Sequence, residues 1–440
     1  MVTLRNVVGL GLLAQSVYSM NLDSKDGIEK ASKALASDLI KFYKGNESGQ
    51  IPGLLPETKM GTDGYYWYES GAFMGAYVDY WQLTGDDTYN DLVSKGIQWQ
   101  GGKDNDFMPA NQSASEGNDD QSVWALSALT AAEYGFPAAD KGPEWIDLAT
   151  AVWEEQRSRW DAEVKEDVCD GGLRWQIFPF NNGYGYKHTL SNALFFNIGA
   201  RLARMTGNDT YADYASKTWE WLEASELINN KTWAVYDGGQ AAQNCTEINK
   251  IQLSAGSASL AMGAAFMYNF TDGSNEWRKR TEDITSTTLK FFFKDGEFKE
   301  ISCSKGTCPR DIVTQKALVH RWLAVTTQVA PFTANSVLPV LLTSAKGLKA
   351  EGNGKDALEQ TLANFAVISN LLIADSSAPG TGNSTNGKKT DETKDSPSST
   401  TSSGTSASAT EAADNSAPKG TGSGSFLALC VIVLAFQWVW

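Results

Sequence analysis

The feature that most constrains this chain is a turn that occurs twice. Leu83-Thr84-Gly85-Asp86-Asp87-Thr88-Tyr89 returns as Met205-Thr206-Gly207-Asn208-Asp209-Thr210-Tyr211. In each copy the glycine suits the left-handed residue that ends a helix, and the acid after it suits the start of the next. Similar breaks stand at Tyr134-Gly135-Phe136-Pro137 and Thr271-Asp272-Gly273-Ser274. Between such breaks apolar residues recur at three- and four-residue spacing, which predicts helices over Ile28–Tyr43, Ser70–Leu83, Tyr89–Trp99, Asp120–Tyr134, Glu144–Trp160 and Leu190–Met205. The pattern continues over Tyr211–Leu222, Gln252–Tyr268, Glu276–Phe293, Ile312–Gln328, Ser336–Leu348 and Ala357–Ile373. The repeating unit is a helical hairpin, with a short turn after the more apolar, Gly- and Ala-rich helix and a longer connection before it. Six such units predict an all-α toroid with the small-residue helices inside, the amphipathic ones outside, and the long connections on one face.

The two ends read as addresses. Residues 1–19 combine Arg5, the apolar run Val7–Ala14 and small or moderate residues at Val17 and Ser19, the pattern of a secretion signal cleaved near Ser19. Phe426–Trp440 is apolar but short for a membrane span, and it follows the polar spacer Pro418–Ser425 and the small set Asn415-Ser416-Ala417. That order predicts a GPI anchor attached at Asn415, with Gly420 the competitor and residues 416–440 removed. Residues 376–415, rich in Ser, Thr, Gly and Lys, cannot bury enough apolar surface to order themselves and are expected to form an O-glycosylated stalk. The folded domain is then 20–375.

Sequons begin at Asn46, Asn111, Asn208, Asn230, Asn244, Asn269 and Asn383, as suits an exported glycoprotein. Asn111 is close enough to the acidic pair described below for a glycan there to crowd it. Cys430 leaves with the tail, so Cys169, Cys245, Cys303 and Cys308 remain for disulfides. Three pairings are possible; Cys303 with Cys308 and Cys169 with Cys245 is favoured, because the first pair brackets a turn-like Ser-Lys-Gly-Thr. A zinc site is a poor alternative, since the two histidines, His188 and His320, lack metal-ligand spacing from any Cys. No metal or cofactor is expected. A net charge of -15 without a basic stripe in the domain excludes a nucleic-acid partner and favours a neutral or cationic ligand.

Chemistry concentrates at Ser115-Glu116-Gly117-Asn118-Asp119-Asp120-Gln121-Ser122-Val123-Trp124, where a loop turns into an apolar helix. Acids in a first helical turn also serve as caps and complement the helix dipole. Paired carboxyls, however, are what cleavage at an acetal carbon needs: one to protonate a leaving oxygen, one to attack or steady the cation. The long connections at 52–68, 101–118, 170–189 and 233–250 are rich in aromatic, amide and Gly residues, as a sugar cleft requires. Trp67 and Trp175 are the aromatic ligand candidates, whereas Trp124 on its apolar face is expected to pack in the core.

These residues resemble glycoside hydrolase family 76, and within it the fungal GPI-anchored mannan endo-1,6-α-mannosidases of the Dcw/Dfg type. The likeness is carried by Tyr66-Trp67-Tyr68-Glu69-Ser70-Gly71-Ala72, Met108-Pro109-Ala110-Asn111-Gln112, Glu116-Gly117-Asn118-Asp119-Asp120-Gln121, Gly171-Gly172-Leu173-Arg174-Trp175-Gln176 and Arg201-Leu202-Ala203-Arg204-Met205-Thr206-Gly207-Asn208. The resemblance implies an (α/α)6 barrel and a retaining mechanism, with Asp119 as nucleophile and Asp120 as general acid/base. Asn118, Arg174, Gln176 and Asn192 join Trp67 and Trp175 as candidate substrate contacts. The donor would be an α-mannan or a GPI glycan; wall members of the family resemble transferases, so a β-glucan acceptor is implied, and the membrane is met only through the GPI lipid. One departure stands after the second Cys, where the family usually carries an aromatic and a Tyr-Asn pair and this chain reads Ile251-Gln252-Leu253-Ser254-Ala255-Gly256.

Other classes fit less well. A non-catalytic, anchored wall lectin would share the aromatics, stalk and toroid, and predicts that loss of either Asp leaves function intact. A terpene synthase wants a further carboxylate that Gln121–Trp124 does not offer. A polysaccharide lyase needs a base and cations for uronates, which suits this acidic, His-poor chain badly.

Overall fold

The computed structural model describes residues 21–56, 65–165, 169–303, 308–348 and 357–382. Among these, twelve α-helices carry the chain: α1 Lys25–Leu39, α2 Trp67–Thr84, α3 Asn90–Gln100, α4 Asn118–Tyr134, α5 Trp145–Lys165, α6 Thr189–Thr206, α7 Asp209–Ala224, α8 Ser254–Phe270, α9 Asn275–Phe292, α10 Arg310–Val329, α11 Ala334–Lys346 and α12 Ala357–Ser369. Each periodic segment of the sequence is helical, with ends displaced by a few residues. α2 and α4 start earlier than the apolar pattern because an acid in the first turn reaches back: Glu69 accepts the Tyr66 N–H at 2.7 Å, and Asp120 accepts the Gly117 N–H at 2.7 Å. The glycines of the repeated turn behave as read, Gly85 and Gly207 taking φ of 73° and 70° at the ends of α2 and α6, as Gly135 does with 66° after α4. The polar residue after the glycine caps the next helix only in the second copy, through Asn208, whereas Asp86 accepts from the Thr88 N–H and α3 starts later, at Asn90.

The even-numbered helices α2 to α12 pack each against the next, and α12 returns to α2, closing an inner ring. The odd-numbered α3 to α11 lie outside the inner helix that precedes each, and α1 lies outside α12. This is an (α/α)6 barrel, but only five pairs are hairpins. The sixth joins the two ends of the domain, a pairing that local sequence does not encode.

Small residues let the ring close tightly. A methyl group on Gly263 would come within 2.5 Å of the Phe196 ring, and one on Gly71 within 2.9 Å of the indole of Trp124. Trp124 is fully buried, as its apolar face predicted. Charges inside the ring are paired: Glu133 takes a two-pronged contact from Arg201 at 3.0 and 2.6 Å, and Asp79 pairs with Arg321.

All inner helices run the same way, so their N-termini share the face that bears the long connections. There a small antiparallel sheet, β1 Tyr186–His188, β2 Gly238–Gln240 and β3 Ile248–Asn249, pairs His188 with Gly238. Runs of two or three residues are too short to show alternation. A hairpin of β4 Phe293–Lys294 and β5 Glu297–Phe298 follows α9. Disulfides join Cys169 to Cys245 and Cys303 to Cys308, the first tying the connection before α6 to the one before α8.

The opposite face corrects one boundary. Residues 376–382, placed in the stalk by composition, lie along the helix C-termini: Gly380 N–H donates to Glu133 O at 2.8 Å and Gly382 N–H to Met205 O at 2.9 Å. Gln328 adds a bond to Ser377 O at 3.0 Å. Terminal carbonyls left over by the helices give this polar segment partners that composition does not reveal. Asn46, Asn111, Asn208, Asn230, Asn244 and Asn269 are exposed. Asn383, Asn415, the expected secretion signal and the expected anchor signal lie outside the described residues.

Candidate active site

The first turns of α2, α4, α6 and α10, with Leu253 just before α8, surround a cleft of about 470 Å3. Aligned helix N-termini make such a place favourable for negative charge. The lining is nonetheless acidic, with Glu116, Asp119, Asp120, Asp237 and Asp311 and no Lys or Arg among the described lining residues. Tyr66 and Trp175, 42% and 39% exposed, offer flat aromatic surface.

Gly117 is extended (φ -87°, ψ 161°), and α4 begins directly after it, which puts Asp119 and Asp120 in the first turn. The connection before α6 is fastened over them. Asn118 N–H donates to Trp175 O at 2.8 Å, the Asn118 amide donates to Arg174 O at 2.9 Å, and Gly117 bridges Gln176. Trp175 and Gln176 are thereby fixed beside the acids.

The two acids differ in surroundings. Asp120 Oδ2 caps the helix through Gly117, so the structural role of such an acid is real as well. Burial, then the neighbouring Asp119 charge, raise its pKa well above the carboxylate range, against the opposing pull of the Gly117 N–H; Glu69 adds to the rise. Asp120 is therefore the carboxyl of the pair that keeps its proton more readily than an ordinary carboxyl, as a general acid requires. Asp119 Oδ1 is buried without a hydrogen-bond partner among the described residues, and Oδ2 lies 3.4 Å from His188 Nδ1. His188 Nε2 in turn faces Asp237 Oδ1 at 3.9 Å, and Asp237 Oδ2 accepts from Tyr186 Oη at 2.7 Å and Asn249 Nδ2 at 3.0 Å. Burial works to lower the His188 pKa; the hydrogen bond to Asp119 and the charges of Asp119 and Asp237 outweigh it, so the net shift is upward.

His188 thus sits beside Asp119 in surroundings that favour its imidazolium form. A charge-assisted hydrogen bond is worth roughly 1.5–3 kcal/mol, so His188→Asn is expected to lower kcat by roughly ten- to a hundredfold. Activity in the parent should fall as pH rises through the raised His188 pKa, and a pH–rate profile of the variant should lose that component. An unchanged profile would show that His188 does not act on Asp119.

Of the residues singled out from sequence, Asp119, Asp120, Trp67, Trp175 and Gln176 come together in the cleft. Trp67 does so as a largely packed wall, its indole N–H donating to Gln100 Oε1 at 2.8 Å. Asn118, Arg174 and Asn192 do not line it. Asn118 is spent on Arg174 O and on Arg159, at 2.8 Å from its Oδ1. Arg174 pairs with Glu163 at 2.7 Å, and the Asn192 amide clips both backbone groups of Leu173 at 2.7 and 3.0 Å. Sequence reasoning missed Glu116, His188 and Asp237. The Tyr186-x-His188 spacing, which puts both side chains on one strand face, was the available signal. At the departure site Leu253 faces the cleft, and the Ser254 hydroxyl is taken by Glu300.

Two adjacent carboxyls in unlike surroundings, one capping its helix and one set against His188, on the floor of a sugar-sized cleft of an (α/α)6 barrel, define a glycoside-cleaving enzyme. Residues 27–384 match the model of glycosyl hydrolase family 76, and the chain belongs to that family. Mannan endo-1,6-alpha-mannosidase DCW1 of Saccharomyces cerevisiae is 41% identical over 347 residues, 77% of this chain and 75% of that protein. The similarly named DFG5 of that yeast is 35% identical, over 83% of this chain and 82% of its own. The crystal structure of Dfg5 from Chaetomium thermophilum, in complex with glucosamine, superposes with a TM-score of 0.78 at 44% identity, over 83% of this chain and 95% of that one.

Proposed function

We propose that this chain is a retaining mannan endo-1,6-α-mannosidase that also transfers glycan. Asp119 attacks the anomeric carbon and forms a glycosyl ester as the bond to the leaving oxygen breaks. Asp120 gives that oxygen its proton. In the second half Asp120 recovers a proton from the incoming hydroxyl, whose oxygen displaces Asp119. Water as the incoming group gives hydrolysis; a sugar hydroxyl gives transfer. The observation that carries the reading is the adjacent pair itself, one member capping the helix through Gly117, the other set against His188.

An acidic cleft with no Lys or Arg among its described lining residues suits neutral mannose and tolerates an amino sugar. That agrees with the glucosamine bound to the Chaetomium relative, and with a GPI glycan as donor. With the export and anchor signals of the sequence, we place the protein on the outer face of the plasma membrane or in the wall, joining GPI-linked proteins to β-glucan. Incubating the purified ectodomain with an α-1,6-mannan oligosaccharide, with and without a β-glucan acceptor, and weighing the products tests this. Shortened mannan alone supports hydrolysis and refutes transfer; mannan joined to glucan supports transfer. Unchanged substrate in both arms would favour a glycan-binding protein instead.

A further inference from the structure

We propose that Glu116 is a substrate-binding residue of the cleft, its carboxyl exchanging hydrogen bonds with a sugar hydroxyl beside Asp120. The proposal rests on the reading of this site as a sugar cleft and names a contact within it. Glu116 is 2% exposed and lines the cleft together with Gln112, Ser115 and Gln176. Neither of its carboxyl oxygens has a hydrogen-bond partner among the described residues.

That is unusual within this molecule. Glu133 is answered by Arg201, Glu163 by Lys187 and Arg174, Asp79 by Arg321, and Glu69 by Thr314 and the Tyr66 N–H. The cation nearest in charge effect, Arg159, is already committed to Asn118, Gln121, Met108 and Glu155. A buried carboxyl without partners weakens a fold, so its position has no structural reason.

What holds Glu116 in place is backbone. Its N–H donates to Ser113 O at 3.4 Å, its carbonyl accepts from Ile177 N–H at 3.3 Å, and the next residue bridges Gln176. The side chain is presented rather than anchored. Burial, then the Asp120 charge, push its pKa well up, against a weaker pull from Arg159. A neutral carboxyl both donates and accepts, which matches a sugar hydroxyl that does the same.

Binding is measured in the Asp119→Asn background, where turnover does not interfere, by calorimetry with an α-1,6-mannooligosaccharide. Adding Glu116→Ala should weaken affinity about tenfold or more, whereas Glu116→Gln, whose amide also donates and accepts, should stay within about threefold. Affinity in the parent should drop as pH rises through the raised Glu116 pKa, and the Gln variant should flatten that dependence. Neither variant should lower Tm. Equal affinity of parent and Ala variant, or a lowered Tm with unchanged affinity, overturns the proposal. No binding by the Asp119→Asn parent overturns the mannan reading itself.

Discussion

Asp119→Asn is expected to lower kcat by about four orders of magnitude, the scale seen when a member of a catalytic carboxylate or triad set is removed. The amide fills the same space, so the fold and the cleft persist, but it cannot form the glycosyl ester. Asp120→Asn should be nearly as damaging on a natural glycan, because the alkoxide leaving group then departs without a proton. On an activated aryl or fluoride α-mannoside, which leaves unassisted, the first step of the Asp120 variant should recover by about a hundredfold or more, in keeping with the usual worth of general acid catalysis. The Asp119 variant should not recover. This split separates the two roles, and equal recovery by both variants would contradict it.

Gly117→Ala should cost about a hundredfold in kcat with little loss of stability. The backbone at Gly117, φ -87° and ψ 161°, is open to any residue, so no strain arises there. The added methyl would stand 2.3 Å from Asp119 Oδ1, 3.2 Å from Asp120 Oδ2 and 3.2 Å from Trp175 O. Asp119 must turn aside while Asp120 gives by a few tenths of an ångström, and displacement of a reacting group by about an ångström is enough for such a loss. Steady-state kinetics beside a thermal melt checks this. A Tm drop of many degrees with proportionate activity loss would mean the glycine serves folding instead.

Much of the barrel was legible because its periodicities are local. Helix-length apolar stripes, left-handed glycines and the doubled turn each occupy fewer than about twenty residues, and each asserts itself without help from elsewhere. The closing pair was not, because α1 and α12 meet only once the ring is complete. At the site, Asp119 and Asp120 stood out through adjacency. Asn118, Arg174 and Asn192 misled because amide and guanidinium groups suit a sugar and a loop clip equally; their partners across the connection before α6 decide between the two. His188 and Asp237 are 49 positions apart in number, 188 against 237, and only the pairing of β1 with β2 brings them to Asp119. Residues 376–382 read as stalk for the same reason, since the helix ends that receive them are distant in sequence.

The shared premise of these expectations is that Asp119 bonds covalently to sugar. Incubation with a fluorinated α-mannosyl fluoride, which slows breakdown of the ester, followed by digestion and peptide mass measurement, tests it directly. One sugar per chain, located on Asp119 and absent from the Asp119→Asn protein, is the predicted result. A label on another side chain, or a product released with inverted anomeric configuration and no label, would contradict it.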